Sequence, residues 1–542
     1  MRKFHRLLVL GLVGAGLAGC SDQLEVPNSN DPDAERALAR PTDVEALISG
    51  SYNTVHRATV GSNNLTAPMG ALAMENYSNL ANFGMGTRSA VPRPPINNNR
   101  DNPTFAENYG PFLGLHRAAR AAALGLSRVN RSDFTFFPPS TEQNARARAF
   151  AHFVVGVALG YVSLAYDSGS AVNENDDLTS NDPLPLMHYS ALNAYALAKL
   201  DSAITIAAGM GTITIPGTWL SASATAVTRQ QFIAIARGFQ ARFRASVARD
   251  PAERAAVNWT QVIADANAFR TEFAGADYNL LLTPSQGWDA AWIAQMYASN
   301  SVNWHMIWGQ FAGMAADQAT FDAWLATPLG SRNPFLVVTP DLRWPQGATR
   351  AAQQADAGTR YMQNRATGND WFGEPLGNSL YRHIRYFPLF SASRIGNYPL
   401  ITAAEMNLLS AEGELRAGNF ATAAQLIDLT RTAARSGLPG LVANGVNNGT
   451  TPVPGGASCV PRVPTSASGP TVCGNMMEAL KYEFRMETMT TGWGHWYFNG
   501  RGWGDLPQGT PPHWPVPYQE MDTRAQAFYS VNGPATPGNY GI

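Results

Sequence analysis

The sequence predicts a mainly α-helical protein with long irregular loops and little β-structure. Apolar residues recur at helical spacing in many segments between residues 41 and 486. Several of these segments form adjacent pairs, and the clearest pair has alanine and glycine at its expected contacts, as in stacked helical hairpins. Asn, Gly and Pro are concentrated between the segments and indicate loops there.

The N-terminus has the pattern of an export signal. A positively charged stub precedes an apolar run over residues 7–17, which is shorter than the roughly 20 residues of a membrane-spanning helix. The run ends in Leu17-Ala18-Gly19-Cys20, which resembles a bacterial lipobox. We therefore expect residues 1–19 to be a lipoprotein signal peptide and Cys20 to carry the lipid chains that anchor the protein. The alternative is an ordinary signal peptide with a chance cysteine.

The rest of the chain is predicted to be a lipidated tether followed by one helical body. The tether covers residues 20–40, and the body covers residues 41–542, with an N-terminal part to about residue 330 and a C-terminal part from about residue 331. The first helix is expected over residues 41–57 with Thr42 as its cap, and residues 63–102 are expected to form loops over the surface. Further helices are predicted over residues 109–129, 145–166, 190–208, 230–249, 259–273, 403–417, 420–435 and 477–486.

The clearest hairpin is formed by residues 403–417 and 420–435. It resembles a tetratricopeptide unit, whose period is about 34 residues. One helix pair cannot bury its apolar face alone, so we expect several such units to stack. The small residues expected at the crossing are Ala411, Gly413, Ala423 and Ala424, and the larger residues expected to fill the gaps are Leu408, Leu426 and Leu429.

The composition narrows the class of ligand. The formal net charge is −1, and no basic run is present, which argues against a nucleic-acid partner. Charged residues make up 15% of the chain, against about 25% in typical soluble proteins. The polar character comes instead from Asn, Ser, Thr, Gln and Gly, together with many Trp and Tyr. This composition suits an uncharged ligand that is hydroxyl-rich or amphiphilic.

Two cysteines remain besides Cys20. Cys459 and Cys473 flank a loop rich in Pro, Gly and Ser that contains neither His nor an acidic residue. In an exported protein such a pair most simply forms a disulfide. The loop offers too few ligands for a metal site, and we expect neither a metal nor a cofactor.

Several features follow one another in an order that a known family shares. Cys20 is followed by a polar spacer and Leu24-Glu25-Val26-Pro27, and the hairpin at residues 403–435 comes much later. The C-terminal region then contains Arg501-Gly502-Trp503-Gly504-Asp505-Leu506-Pro507 and Pro515-Val516-Pro517 with Glu520. Together these features resemble the SusD/RagB-like family of nutrient-uptake outer-membrane lipoproteins. The chain departs from the family pattern at Pro507, where a second arginine is usual.

The resemblance implies a function that the helical pattern alone does not give. It implies a lipid-anchored protein of the outer membrane that faces the cell exterior, captures oligosaccharides or peptides and delivers them to a SusC-like TonB-dependent transporter without catalysis. Two alternatives stay open, a lipoprotein hydrolase that acts on polysaccharide and a tetratricopeptide scaffold of the envelope. No G-x-S-x-G, H-E-x-x-H or P-loop pattern favours the hydrolase.

The candidate ligand-binding residues are mostly aromatic and lie between residues 284 and 310. Trp288 and Trp292 are four residues apart, as are Trp304 and Trp308, so each pair is expected to share a helix face. The alternative is that these tryptophans are core, because aromatic residues at helical spacing are usually buried. The remaining candidates are Asn300, Asn303 and Gln310 nearby, and Tyr77, Phe83, Trp371 and Phe372 in loop-like stretches.

Overall fold

A computed structural model describes residues 38–62, 64–77, 85–103, 106–136, 140–178, 182–297, 306–356, 361–367, 379–432, 445–446 and 452–542. Within these residues the chain is mainly helical, which confirms the predicted fold class. The helices are α1 (Pro41–Ala58), α2 (Thr66–Leu72), α3 (Met85–Ser89), α4 (Ala106–Val129), α5 (Thr141–Ala165), α6 (Tyr189–Ala208), α7 (Arg229–Ser246), α8 (Pro251–Ala255), α9 (Trp259–Glu272), α10 (Ala291–Tyr297), α11 (Gly309–Ala315), α12 (Gln318–Ala326), α13 (Arg350–Ala355), α14 (Phe387–Ser391), α15 (Ala403–Arg416), α16 (Phe420–Arg431), α17 (Met476–Thr488), α18 (His495–Trp503) and α19 (Tyr518–Thr523). The strands are β1 (Ser168–Ser170), β2 (Leu186–His188), β3 (Tyr278–Leu282), β4 (Met362–Asn364), β5 (Tyr381–His383), β6 (Gly396–Ile401), β7 (Arg462–Pro464) and β8 (Thr471–Cys473).

The long helices form a stack in which each helix packs against the next. α4 lies against α1 and α5, α5 against α6, and α6 against α7. The stack continues from α7 to α9 and α15, and α15 also packs against α16 and α17. Each helix therefore buries its apolar side on neighbours, as expected for helical repeats.

Local sequence signals set where several helices begin. Thr228 and Gln231 form a capping box at α7, in which each side chain accepts a backbone N–H of the other residue. Asn475 caps α17 by accepting the N–H of Glu478. The expected cap at Thr42 is wrong: α1 begins after Arg40, and no side chain caps it. Pro41 occupies the first turn instead, where its fixed φ already suits a helix.

α5 is the central helix of the core. By length and composition it could cross a membrane, but 89% of its most apolar stretch is buried inside the protein. Two glycines allow close neighbours: a Cβ on Gly160 would lie 2.2 Å from a ring carbon of Phe243, and one on Gly156 would lie 2.7 Å from Cγ of Leu200. The apolar surface of α5 is thus covered by protein.

The predicted hairpin forms as α15 and α16, with two corrections. Ala411 and Ala423 are fully buried, as expected for residues at the crossing. Gly413 does not face α16, because a Cβ there would lie 2.8 Å from Cγ1 of Ile263 on α9. Leu429 does not fill a gap either, since it is 43% exposed. α15 has helices on more than one side, and residue spacing alone does not show which neighbour receives a small residue.

The segment over residues 63–102 was wrongly expected to be surface loop. It contains α2, whose Met69 and Leu72 are fully buried, and α2 packs against α18. The buried Arg93 donates hydrogen bonds to the carbonyls of Ala90, Ala71 and Leu72 at 2.8–3.2 Å. Because these bonds give both terminal nitrogens of the guanidinium a partner, a charged side chain of this segment can lie inside the protein.

The strands form four separate two-stranded antiparallel pairs: β1–β2, β3–β6, β4–β5 and β7–β8. The predicted disulfide between Cys459 and Cys473 is confirmed, with the two Cα atoms 5.8 Å apart. It closes the β7–β8 hairpin, in which Cys473 is the partner of Arg462.

Buried ion pairs join distant parts of the chain. The guanidinium of Arg343 contacts carboxylate oxygens of Asp341 and Glu483 at 2.7–3.0 Å. Arg242 pairs with Glu405, and Arg254 pairs with Glu412, each with both groups at most 1% exposed.

The C-terminal motif takes part in similar contacts. Asp505 is fully buried and accepts hydrogen bonds from Lys481 and Arg485 of α17 at 2.9 and 2.6 Å. Trp503 donates its Nε1–H to Glu412 at 3.1 Å. These motif residues hold the fold together, whereas the division of the body near residue 330 stays a prediction.

Candidate ligand-binding site

Three parts of the chain meet beside α10. Tyr77 and Met306 form an antiparallel bridge, in which each N–H donates to the other carbonyl at 2.7 and 2.9 Å. The next residue, Ile307, donates its N–H to the carbonyl of Tyr381 in β5 at 3.0 Å. The bridge therefore places the end of the α2 region, the start of α11 and β5 side by side.

A small cavity lies next to this junction. Its volume is about 20 Å³, which is room for one water molecule or one ligand hydroxyl. We call it the α2–α10 cavity. It is lined by Thr66, Ala67, Glu75, Asn76, Trp292, Met296, Thr490, Thr491, Gly492 and Gly494.

The α2–α10 cavity offers one acceptor and one donor. Glu75 accepts the N–H of Thr490 through Oε1 at 2.7 Å. Burial raises the pKa of Glu75 to about 7, although the bond from Thr490 opposes this rise. Trp292 is 6% exposed, and its Nε1–H has no acceptor among the described residues. Since buried indoles usually find a partner, this donor is available for a ligand oxygen.

The backbone is strained at Thr490, which lines the cavity, and at Met74, which directly precedes the lining residue Glu75. Met74 and Thr490 have φ values of 63° and 61°, in the left-handed region that residues other than glycine rarely adopt. Each such residue costs about 1–3 kcal/mol, and residues of this kind cluster at ligand sites. Here the strain aims the N–H of Thr490 at Glu75.

His383 connects α10 to the segment after α17. The hydroxyls of Tyr297 and Thr490 lie 2.7 and 3.3 Å from its Nδ1. Burial holds the pKa of His383 well below its usual value, so the ring is neutral. The side of the cavity formed by α10 is thereby fixed to Thr490.

Comparison with known proteins gives a result at the level of structure only. No protein-family model matches this sequence, and no curated protein matches it. A SusD superfamily protein from Bacteroides thetaiotaomicron has a TM-score of 0.55 at 12% identity, over 89% of this chain and 96% of that one. This chain has the SusD-like fold.

Two further structures agree. A second SusD superfamily protein from Bacteroides thetaiotaomicron has a TM-score of 0.51 at 10% identity, covering 91% of this chain and 94% of that one. A SusD-like protein from Bacteroides fragilis has a TM-score of 0.50 at 11% identity, covering 86% of each chain. The fold implied by the sequence resemblance is therefore confirmed.

The SusD-like fold brings two of the predicted aromatic residues together. The rings of Tyr77 and Trp308 meet edge to face at 5.5 Å. Trp308 donates its Nε1–H to the carbonyl of Asn76 at 2.7 Å, and the guanidinium of Arg93 lies 4.9 Å from its ring centre. Both rings are almost completely buried, so they support Asn76 in the cavity wall.

Trp288 and Trp292 do not share a helix face, which corrects that expectation. α10 begins only at Ala291, and Trp288 instead pairs with Thr283 across a turn. The ring of Trp288 packs on His56 and Tyr52 at 5.0 and 6.3 Å, inside the core. Trp288 and Trp308 are therefore core residues, which was the alternative to a binding role, whereas Trp292 lines the cavity.

The other predicted residues divide into two groups. Gln310 is buried on α11, and neither its amide oxygen nor its nitrogen has a partner among the described residues. The predictions for Asn300, Asn303, Trp304, Trp371, Phe83 and Phe372 lie outside the described residues.

Sequence reasoning missed Glu75 and Thr490. Glu75 stands alone as an acid after the apolar run Ala71-Leu72-Ala73-Met74, and this isolation is the one available signal. Thr490 gives no local signal, because it meets Glu75 across 415 positions of the sequence. Among the described residues, no group of three or more His, Cys, Asp or Glu could hold a metal ion.

The raised pKa of Glu75 leads to a test of stability against pH. The folded pKa of about 7 lies above the unfolded value of 4.5, so stability falls as pH rises from about 4.5 to 7. Glu75→Gln is uncharged and keeps an acceptor for Thr490. We expect it to raise the free energy of unfolding by about 1–3 kcal/mol at pH 8, with little gain at pH 4.5. Urea unfolding at the two pH values measures this. A gain of equal size at both would show that ionisation of Glu75 is not the cause.

Proposed function

We propose that this protein binds oligosaccharides at the cell surface and passes them to a SusC-like TonB-dependent transporter, without catalysis. The observation that carries the proposal is the SusD-like fold over 89% of the chain. The sequence supports the same function through its few charges and many Asn, Ser, Thr, Trp and Tyr residues. Peptides are the alternative class of ligand.

Two observations favour a sugar ligand over a peptide. A Bacteroides vulgatus protein with a TM-score of 0.50 and 12% identity, covering 91% of this chain and 98% of that one, is described provisionally as sugar-binding. In addition, the α2–α10 cavity has room for one hydroxyl, and both Trp292, whose Nε1–H has no acceptor among the described residues, and Glu75 line it. A hydroxyl both donates and accepts, so it can use the two groups at once.

The proposed location follows from the N-terminal sequence. Leu17-Ala18-Gly19-Cys20 supports cleavage before Cys20, lipid attachment to its thiol and a position on the outer membrane facing the exterior. Mass spectrometry of the mature protein should find lipid on Cys20, and Cys20→Ala should move the protein from the membrane fraction to the soluble one. An unmodified thiol on a membrane-bound product would contradict the anchor.

Isothermal titration of a form that starts at residue 21 tests the binding. The titrants are neutral oligosaccharides of several linkages and, for comparison, oligopeptides. We expect saturable binding of an oligosaccharide with no product. Trp292→Phe removes the free donor but keeps an aromatic ring, and should weaken binding by about 3- to 10-fold.

Trp324→Phe is the matched control. Trp324 is also buried, and its Nε1–H also lacks a partner among the described residues, but it lies on α12 away from the α2–α10 cavity. Trp324→Phe should therefore leave the affinity for the oligosaccharide unchanged. Formation of a shortened oligosaccharide during the titration would show that the protein is a hydrolase instead. If neither oligosaccharides nor oligopeptides bind, and envelope proteins other than a barrel transporter co-purify, the protein is a scaffold instead.

A further inference from the structure

A second cleft lies between the loop over residues 217–227 and β3. Its volume is about 190 Å³, and it shares no lining residue with the α2–α10 cavity. None of its 12 lining residues carries a charge. Its polar lining consists of Ser221, Ser223, Thr225, Gln231, Tyr278 and Asn279. A cleft without charge does not suit an ionised ligand, because nothing in the lining offsets the desolvation of that charge.

The walls of this cleft are held in place by backbone bonds. Ile215 and Val227 donate their N–H groups to each other's carbonyls at 2.9 and 2.8 Å, which closes the loop. Ala222 donates its N–H to the carbonyl of Leu281 at 2.9 Å, which ties the loop to β3. Inside the loop, a Cβ on Gly217 would lie 2.1 Å from the carbonyl oxygen of Thr225. A cleft fixed in this way loses little entropy when a ligand enters.

Two largely buried residues of the cleft, Tyr278 and Ser221, have hydroxyl groups that can make further hydrogen bonds. Tyr278 is 8% exposed, and its hydroxyl has no partner among the described residues. Burial raises the pKa of Tyr278, so the hydroxyl keeps its proton and can donate it. Ser221 is 4% exposed and accepts the N–H of Ser223 at 3.1 Å, while its own proton has no acceptor in the described part of the chain. Both side chains line the cleft, so each hydroxyl can donate its proton to a ligand oxygen there.

Phe273 supplies an apolar surface at the same place. It is partly exposed at the cleft and stacks on Phe269, with 4.5 Å between ring centres and 21° between ring planes. The centre of its ring also lies 5.9 Å from that of Tyr278. An aromatic surface beside hydroxyl and amide groups matches a sugar, which has an apolar C–H face and polar edges.

We infer that this cleft is a second binding site, which takes a single uncharged sugar residue of an oligosaccharide. The ligand class rests on the proposed function, whereas the position, charge and size of the site come from the cleft itself. Its volume is below the roughly 300 Å³ at which drug-sized ligand pockets begin, so it holds one sugar unit. Two separated sites on one chain would raise the apparent affinity for long glycans that reach both.

Methyl NMR of the full soluble form tests the site. The reporters are the δ1 methyl of Ile235, which lines the cleft, and that of Ile293, next to Trp292 on α10. The probes are maltose and cellobiose, with glucuronate and dialanine as comparisons. We expect at least one of the two disaccharides to shift the Ile235 signal, and glucuronate and dialanine to leave it in place.

Two variants add a large side chain, either in the cleft or beside it, and a third removes the hydroxyl of Tyr278. Ala226→Trp fills the cleft and should abolish the shift of Ile235. Ala224→Trp, on the same loop but outside the lining, should keep it. Tyr278→Phe should weaken binding by about 3- to 10-fold.

Three results would overturn the inference: no disaccharide shift at Ile235, a shift that survives in Ala226→Trp, or an equal response to glucuronate or dialanine. The proposed function fails separately, if oligosaccharides bind neither in titration nor with a shift at Ile293.

Discussion

Replacing Arg343 with methionine is expected to lower the free energy of unfolding by about 3–5 kcal/mol. Arg343 is fully buried and makes ion pairs with Asp341, Glu483 and Glu487. The substitution fills a similar volume but leaves three carboxylates buried without this partner. Removing one member of a buried pair is costly because the remaining charge is neither solvated nor paired. Urea unfolding of the soluble form measures the loss.

Arg100→Met is the control for Arg343→Met. Arg100 pairs with Asp522 at 2.5 Å, but their side chains are 62% and 38% exposed. Water already solvates such a pair, so we expect a loss of at most about 1 kcal/mol. Losses of equal size in the two variants would show that burial of the carboxylates around Arg343 does not determine its contribution.

Replacing Phe153 with alanine is expected to cost about 3–5 kcal/mol. Phe153 is fully buried on α5, and its ring meets those of Phe232, Tyr52 and Phe239 at 5.1, 5.5 and 5.8 Å. These rings come from α7 and α1, so the side chain joins three helices of the stack. The substitution leaves a cavity that a close-packed core closes only in part. Urea unfolding again gives the magnitude.

Two further variants are controls for the loss of stability in Phe153→Ala. Phe153→Leu keeps most of the volume and should cost less than the alanine change. Phe420→Ala removes a phenylalanine that is 39% exposed and should change stability by about 0.5 kcal/mol or less. A loss for Phe153→Ala as small as that for Phe420→Ala would mean that the core at α5 repacks without a cavity.

The helices could be predicted from the sequence because their signal is local. Residues 190–208 and 259–273 were predicted as helices, and the structure has Tyr189–Ala208 and Trp259–Glu272. Apolar spacing and capping residues lie within each helix and need no knowledge of its neighbours. Local spacing does not predict burial: that of Leu429 suits a buried position, yet the side chain is 43% exposed.

The candidate site was predicted only in part. Trp292 lines the cavity, and its role in ligand binding stays a prediction. Its four-residue spacing from Trp288 did not show that Trp288 lies in a turn before the helix begins. Glu75 lines the same cavity and is held by the N–H of Thr490, a residue far away in the sequence. Periodicity carries no information about such contacts, so the site becomes visible only in the folded chain.

The buried ion pairs also determine when the protein can fold. Their partners are separated by 140 residues for Arg343 and Glu483, 158 for Arg254 and Glu412, and 163 for Arg242 and Glu405. Bringing such distant segments together costs chain entropy before any contact compensates for it. Arg242, Arg254 and Arg343 therefore gain these partners only after the final third of the chain has begun to be synthesised. Until then the earlier helices expose apolar surface, which makes an incomplete chain prone to aggregate.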